Sequence, residues 1–197
     1  MHQWIADWHL ALPDRLDTLV GYSLGGRLAL SLLAVLPHRW RRLVIISAHP
    51  GLNCEHERRV RCQADQVWIE CLREQGIVAF VNAWEAQPLF ASQRQRVNHS
   101  QLASQRQRRL SHHASALAQT LGCFGLGQMP PTWQAIATFQ GPLHWIVGTE
   151  DTRFVAIAEQ VKQHRPATTL HHLSSCGHNP LLEQPEQLHD LLRLVCR

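Results

Sequence analysis

One decapeptide constrains the fold more than any other stretch of the chain: Asp17 to Gly26, reading DTLVGYSLGG. Asp17-Thr18-Leu19-Val20 reads as a short apolar strand and Gly21 to Gly26 as a tight turn. Arg27 to Leu36 then reads as a strongly apolar helix stopped by Pro37. Gly21-Tyr22-Ser23-Leu24-Gly25 matches G-x-S-x-G, and a strand that enters a helix through such a turn lifts the serine hydroxyl above the end of a sheet. Its glycines are expected because a Cβ there would collide with the neighbouring turn. The helix start adds free N–H groups and a positive dipole. The backbone N–H of Leu24, just after the serine, is the expected donor to an oxyanion.

A serine becomes a useful base or nucleophile only beside an imidazole that a carboxylate orients. Leu43-Val44-Ile45-Ile46, residues 143–147 and residues 168–173 read as further strands. Helical patterns over 131–139, 152–164 and 185–195 alternate with them, which indicates an α/β fold with a mostly parallel sheet. Functional side chains in such sheets sit at the carboxyl ends of the strands. Gly148-Thr149-Glu150-Asp151 follows one strand and Cys176-Gly177-His178-Asn179 follows the next. Asp151 and His178 are therefore the expected partners of Ser23, with Glu150 as the competing acid. The plainer readings are a helix N-cap for Asp151 and an ordinary loop histidine for His178.

Trp4, Ile5, Trp8 and Leu12 recur at helical spacing, so residues 2–12 read as an amphipathic helix. From Glu55 to Leu121 the chain is rich in Gln and Arg and reads as several helices, broken at Gly76 and near Pro88. Gly122 to Pro131 reads as a loop. The expected organisation is a core of residues 1–51 and 126–197 with a helical lid, 52–125, inserted into it. A chain of 197 residues with 45% apolar and 17% charged residues suits such a core. The net charge of +4 rests almost wholly on arginine, Lys162 being the one lysine. These arginines are scattered rather than striped among aromatics, which argues against a nucleic-acid partner. No apolar run approaches the ~18 residues of a spanning helix, and the N-terminus lacks a secretory cleavage site. The six cysteines form no CxxC and read as free thiols in a reducing cytoplasm. The 14 histidines show no metal-ligand spacing, so neither a metal nor another cofactor is expected.

With these residues in place, the chain resembles the α/β-hydrolase superfamily over nearly all of 17–197, with about four of its eight strands present. Within it, the closest resemblance is to the 2-succinyl-6-hydroxy-2,4-cyclohexadiene-1-carboxylate synthases of menaquinone biosynthesis. GYSLGGRLAL at 21–30, HPGL at 49–52 with Arg58, Arg61 and Asp65 after it, and Trp84 with QPLF carry it. GTEDTRF at 148–154 and CGHN at 176–179 complete the set. The resemblance implies a carbon–oxygen lyase. It takes a proton from 2-succinyl-5-enolpyruvyl-6-hydroxy-3-cyclohexene-1-carboxylate and expels pyruvate. Ser23 is the implied base, activated by His178 and Asp151. Arg27, Arg61 and Arg109 are the implied binders of a small polycarboxylate substrate, and Tyr22 and Trp84 the implied pocket-lining aromatics. A small-ester or thioester hydrolase, or an inactive fragment, is the alternative.

In that family the elbow strand is the fifth, whereas here it is the first. The expectation is that four strands, on the order of 50–70 residues at ~30 per βαβ unit, precede an internal methionine at Met1. They would include the His-Gly loop that supplies a second oxyanion donor. Without them the strand at 17–20 keeps one bare edge. In-frame coding sequence upstream of Met1 should therefore encode an apolar strand followed by His-Gly. An upstream stop codon, with no pyruvate released by the purified chain, would favour the inactive fragment.

Overall fold

The computed structural model describes residue 8 and residues 11–197. The helix expected over 2–12 lies outside the described residues except at Trp8, Ala11 and Leu12. In chain order the elements begin β1 (Leu16–Tyr22), α1 (Leu24–Val35), β2 (Trp40–Ile46) and α2 (Glu55–Glu70). A π-helical turn (Cys71–Gln75), α3 (Gly76–Glu85) and a 3-10 turn (Pro88–Phe90) follow. Next come α4 (Ala91–Arg96), α5 (His99–Leu110), α6 (Ala114–Phe124) and α7 (Trp133–Thr138). The chain closes with β3 (Leu143–Gly148), α8 (Thr152–His164), β4 (Thr169–Leu173), α9 (Pro180–Glu183) and α10 (Pro185–Val195). It divides into two compact units, Met1–Gly51 with Pro131–Arg197, and Leu52–Pro130.

The first unit is built on a parallel sheet of order β1-β2-β3-β4. Leu43 and Ile45 of β2, with Leu143, Trp145 and Val147 of β3, pack against Leu30 and Leu33 of α1, Ile136 of α7 and Val161 of α8. Val44, Ile46, Ile146 and Leu173 face the other way, against Leu188 and Val195 of α10. Both faces of β2 are covered, so its core run LVII shows no polar alternation. The β1–β2 ladder continues to Tyr22, two residues past the expected strand. Among the described residues β1 has a strand neighbour on one side only, and Val20 is 46% exposed. Helix α1 starts at Leu24 rather than Arg27, because the turn is completed at Ser23 alone. Helix α7 starts at Trp133, two residues later than expected. The N–H and Oγ1–H of Thr132 both donate to the Pro50 carbonyl, at 2.7 and 2.8 Å, which holds the preceding chain away from helical geometry.

The second unit is all helical. Ile69, Leu72, Phe80, Val81 and Ala118 form its core. The breaks read at Gly76 and Pro88 are a glycine at φ 80° after the π-turn and a proline opening a 3-10 turn. Helix α6 runs on to Phe124 through Gly122, where a loop was expected. Leu117 and Leu121 pack onto the core, and that burial outweighs the ~1 kcal/mol a helical glycine costs. A Cβ on Gly127 would lie 2.6 Å from the Arg58 carbonyl and from Cys62 Sγ. That close approach ties residues 126–130 to this unit. Among the described residues no helix is long and apolar enough to cross a membrane.

In the sheet, His144 Nδ1 and His171 Nε2 lie 3.0 Å apart, so one ring donates and the other accepts. Burial lowers both pKa values, helped at His144 by Arg42 and at His171 by His144 and His172. Below about pH 6.5 the unfolded chain therefore binds more protons than the folded one. The stabilisation is complete above that pH and is lost as the pH falls through the lowered folded values. Thermal melts are expected to show stability dropping as the pH falls below about 6.5, and His171→Gln should flatten that slope. An unchanged slope in the variant would refute the assignment.

Candidate active site

Strand β1 delivers Ser23 to the site. Its N–H donates to the Ile46 carbonyl (2.9 Å), extending the ladder, and its carbonyl accepts from Arg27 N–H (3.1 Å), opening α1. Between these two commitments the residue adopts φ 49°, ψ −112°, a conformation costing a non-glycine residue on the order of 1–3 kcal/mol. Close backbone approach holds it there. A Cβ on Gly21 would lie 2.5 Å from the Gly25 carbonyl oxygen, and one on Gly26 would lie 2.5 Å from Ala48 Cβ. Gly25 faces open space, so the expected collision applies to Gly21 and Gly26 and not to Gly25. The Leu24 N–H is among the first in α1, which a helix leaves without an intrahelical acceptor.

His178 Nε2 lies 3.1 Å from Ser23 Oγ, and His178 Nδ1 lies 2.7 Å from Asp151 Oδ2. A carboxylate only accepts, so Nδ1 carries the proton and Nε2 is left to accept from the serine hydroxyl. Histidine and aspartate are 3% and 7% exposed. Asp151 does stand at the N-cap of α8, but its side chain makes no cap bond; the carboxylate goes to His178 instead. Glu150 is exposed, and its N–H donates to the Cys176 carbonyl at 2.9 Å. Of the two acidic side chains, Asp151 is the one in contact with His178.

Two aromatic rings cover the imidazole: Tyr22 at 5.6 Å and Phe154 at 4.5 Å between centroids. Phe154 belongs to the GTEDTRF segment, yet sequence reasoning did not single it out. Its signal was position, three residues past the acid on the first turn of α8. Glu183 was also missed. Its Oε2 accepts from Gly177 N–H (2.8 Å) and its Oε1 from Asn179 N–H (3.1 Å). An asparagine followed one turn later by an acid, across a proline, is the trace it leaves in the sequence.

Arg27 is half-buried on α1, one turn beyond Ser23. Arg61, Trp84 and Arg109 belong to the second unit and are engaged there. Arg61 Nε and Nη2 both reach Asp65 Oδ1, at 2.9 and 2.8 Å. Trp84 stacks on Phe80 and meets Trp68 edge-on, each at 5.3 Å. Arg109 Nη1 donates to Glu85 Oε1 at 3.0 Å, with its guanidinium 5.1 Å from the Phe90 ring centre. Among the described residues no three His, Cys, Asp or Glu side chains are grouped to hold a metal.

A serine on a strand-to-helix turn, with acid and histidine arriving in that order from later strand ends of a parallel sheet, defines an α/β-hydrolase site. The model of the alpha/beta hydrolase family matches residues 2–191, and the chain belongs to that family. The 2-succinyl-6-hydroxy-2,4-cyclohexadiene-1-carboxylate synthase of Enterobacter sp. (strain 638) is 31% identical over 91% of this chain and 66% of its own length. The synthase of the same name from Salmonella heidelberg (strain SL476) is 32% identical over 91% of this chain and 68% of its own. The structure of MenH from S. aureus superposes with TM-score 0.85 at 32% identity, over 90% of this chain and 66% of that one. A thermophilic esterase from Thermogutta terrifontis shares the fold at TM-score 0.72 and 20% identity, over 98% of this chain and 70% of its own. The chain spans 61–68% of the length of the curated relatives it matches.

Reactivity of Ser23 toward a fluorophosphonate probe reads the serine–histidine–acid linkage directly. Asp151→Asn should slow labelling by up to about 10⁴-fold, the scale of losing the correct histidine tautomer. Glu150→Gln should label like the unaltered chain. The opposite pattern would transfer the role to Glu150.

Proposed function

We propose that the protein is a lyase that converts 2-succinyl-5-enolpyruvyl-6-hydroxy-3-cyclohexene-1-carboxylate into 2-succinyl-6-hydroxy-2,4-cyclohexadiene-1-carboxylate and pyruvate, in menaquinone biosynthesis. The supporting observation is the Ser23–His178–Asp151 hydrogen-bonded chain, at 3.1 and 2.7 Å. It lies in a sequence 31–32% identical to synthases named for that product. Six free cysteines and the biosynthetic role support a cytoplasmic setting.

The substrate and product names dictate the bond changes. A ring alkene at C3 with a leaving group on C5 becomes a 2,4-diene. The C2 proton must go, the ring double bond must shift, and the C5–oxygen bond must break. The neighbouring succinyl ketone acidifies that C2–H. Ser23 Oγ takes the proton while its own hydroxyl proton passes to His178 Nε2. The C–H electron pair becomes the new double bond, and the displaced alkene pair expels the enolpyruvyl oxygen. Ser23 keeps the C2 proton as its new hydroxyl, the proton on His178 passes to the departing enolpyruvyl oxygen, and the released enol tautomerises to pyruvate. No bond from carbon to Ser23 forms at any point. Asp151 stabilises the transient imidazolium, and general-base participation of this kind is worth ~10²–10⁴ in rate. Negative charge that gathers on the succinyl carbonyl oxygen meets the Leu24 N–H, a donor of the type worth about 10²–10³.

In this reading Arg27 binds a substrate carboxylate by charge-assisted hydrogen bonds and Tyr22 is a pocket-lining aromatic; Arg61 and Arg109 as carboxylate binders, and Trp84 as an aromatic contact, are the further roles that the family resemblance implies. Their support is the family resemblance, and Arg61 and Arg109 each have further N–H donors beyond those on the one carboxylate each engages. A lactate-dehydrogenase-coupled assay of pyruvate release tests the reading. Ser23→Ala and His178→Ala should each abolish release, and Arg61→Gln should chiefly raise KM. Release at the unaltered rate in either triad variant would sink the mechanism. Ester turnover that needs Ser23, without pyruvate, would make the protein a hydrolase.

A further inference from the structure

The histidine of the site sits on a loop, and loops seldom hold a side chain to the tolerance proton transfer needs. Here a single buried carboxylate fixes it. Glu183, 8% exposed, accepts from the two peptide N–H groups on either side of His178: Gly177 at 2.8 Å through Oε2 and Asn179 at 3.1 Å through Oε1. The N–H groups of the residues before and after His178 are therefore pinned to the two oxygens of one rigid carboxylate. The next side chain adds a third tie, as Gln184 Nε2 donates to the Ser175 carbonyl at 3.0 Å. Ser175 itself has φ 52°, so the loop enters this grip through a conformation it would not choose alone. Asp151 binds the imidazole ring; Glu183 binds the backbone that carries the ring. These are separate constraints on one residue.

We propose that Glu183 is a positioning residue for the triad: its ionised carboxylate, by gripping both peptide N–H groups around His178, keeps Nε2 within reach of Ser23 Oγ. The proposal rests on the triad reading of Ser23, Asp151 and His178. The charge and the length of the side chain both matter. Glutamine offers one oxygen and one NH2, so one of the two N–H groups would face a donor. Aspartate keeps both oxygens but is one methylene shorter, so its carboxylate reaches the two N–H groups less well. Misplacing a reacting group by about 1 Å costs on the order of 100-fold, so the loss should be well above measurement error.

The test uses the purified chain and the Glu183→Gln and Glu183→Asp variants. Three readouts are needed: fluorophosphonate labelling of Ser23, the downfield proton resonance of the His178–Asp151 hydrogen bond, and the melting temperature. Expected is labelling slowed about 10–100-fold at a temperature where circular dichroism shows the variant folded, with the downfield resonance broadened or lost. Glu183→Asp should fall between Glu183→Gln and the unaltered chain, and it carries the test if Glu183→Gln does not fold. A lowered melting temperature with labelling rate and resonance unchanged would make Glu183 merely structural and overturn the proposal. Histidine-dependent labelling without pyruvate release would defeat the lyase reading and leave this one standing. Normal pyruvate release and labelling in Glu183→Gln would do the reverse.

Discussion

The site depends on one close approach of backbone to backbone. Gly21 lies so near the Gly25 carbonyl, and Gly26 so near Ala48, that neither tolerates a side chain. This contact forces the chain to reverse within a single residue, and that residue is Ser23, at positive φ. The strain is not relieved locally. It is sustained by the ladder bond to Ile46 on one side and the first helical bond, to Arg27, on the other. Both anchors depend in turn on the buried β2 and α1, whose apolar side chains form the sheet core. Packing of the core thus supplies the free energy that holds the serine hydroxyl clear of the sheet.

The partners of the serine are held on the same principle, by backbone contacts to neighbouring turns rather than by their own local structure. A Cβ on Gly148 would overlap the Cys176 and Gly177 carbonyls. The turn bearing Asp151 and the loop bearing His178 therefore lie flush against each other. Thr149 N–H donates to the Leu173 carbonyl and Glu150 N–H to that of Cys176, at 3.0 and 2.9 Å. Glu183 accepts from the N–H groups of Gly177 and Asn179, so the backbone on both sides of His178 is clamped. The 2.7 Å bond to Asp151 is the consequence of this clamping as much as its cause.

How much of this was legible from residues alone follows from where each constraint lies. The β-branched run at 43–46 and the turn at 21–25 are local, so the strands, their parallel order and the serine turn could be read directly. Asp151 and His178 were legible as candidates because they follow strand ends, and the sequence already favoured Asp151 over Glu150; the 2.7 Å contact to His178 is what tertiary geometry adds. Helix limits were set by partners far away in sequence: Thr132 by Pro50, and Gly122 by the core around Ile69 and Leu72 on which Leu117 and Leu121 pack. Glu183 looked like one acid among many because its two bonds go to backbone atoms, which have no residue signature. Arg61 and Arg109 carried the opposite problem. Their charge suggested an external anion, whereas the fold pairs each with an internal carboxylate, Asp65 or Glu85.

The triad alone does not separate a lyase from a hydrolase on this fold. Both chemistries need the same serine, histidine and acid, and both begin by moving the serine proton to Nε2. A hydrolase must then let the serine oxygen attack carbon and later admit water. An eliminating enzyme must instead keep that oxygen as a base. Carbon attack is suppressed when the substrate is held with a C–H bond, not a carbonyl carbon, over Oγ. That choice is made by anchors distant from the triad, and for a substrate with several carboxylates the natural anchors are guanidinium groups. An arginine left mobile would pay the entropy of ordering at each binding event. One already oriented by Asp65 or Glu85 has paid it in folding, and it keeps unused N–H donors in a fixed fork. Asp65 and Glu85 orient Arg61 and Arg109 in that way within the helical unit, before any ligand arrives.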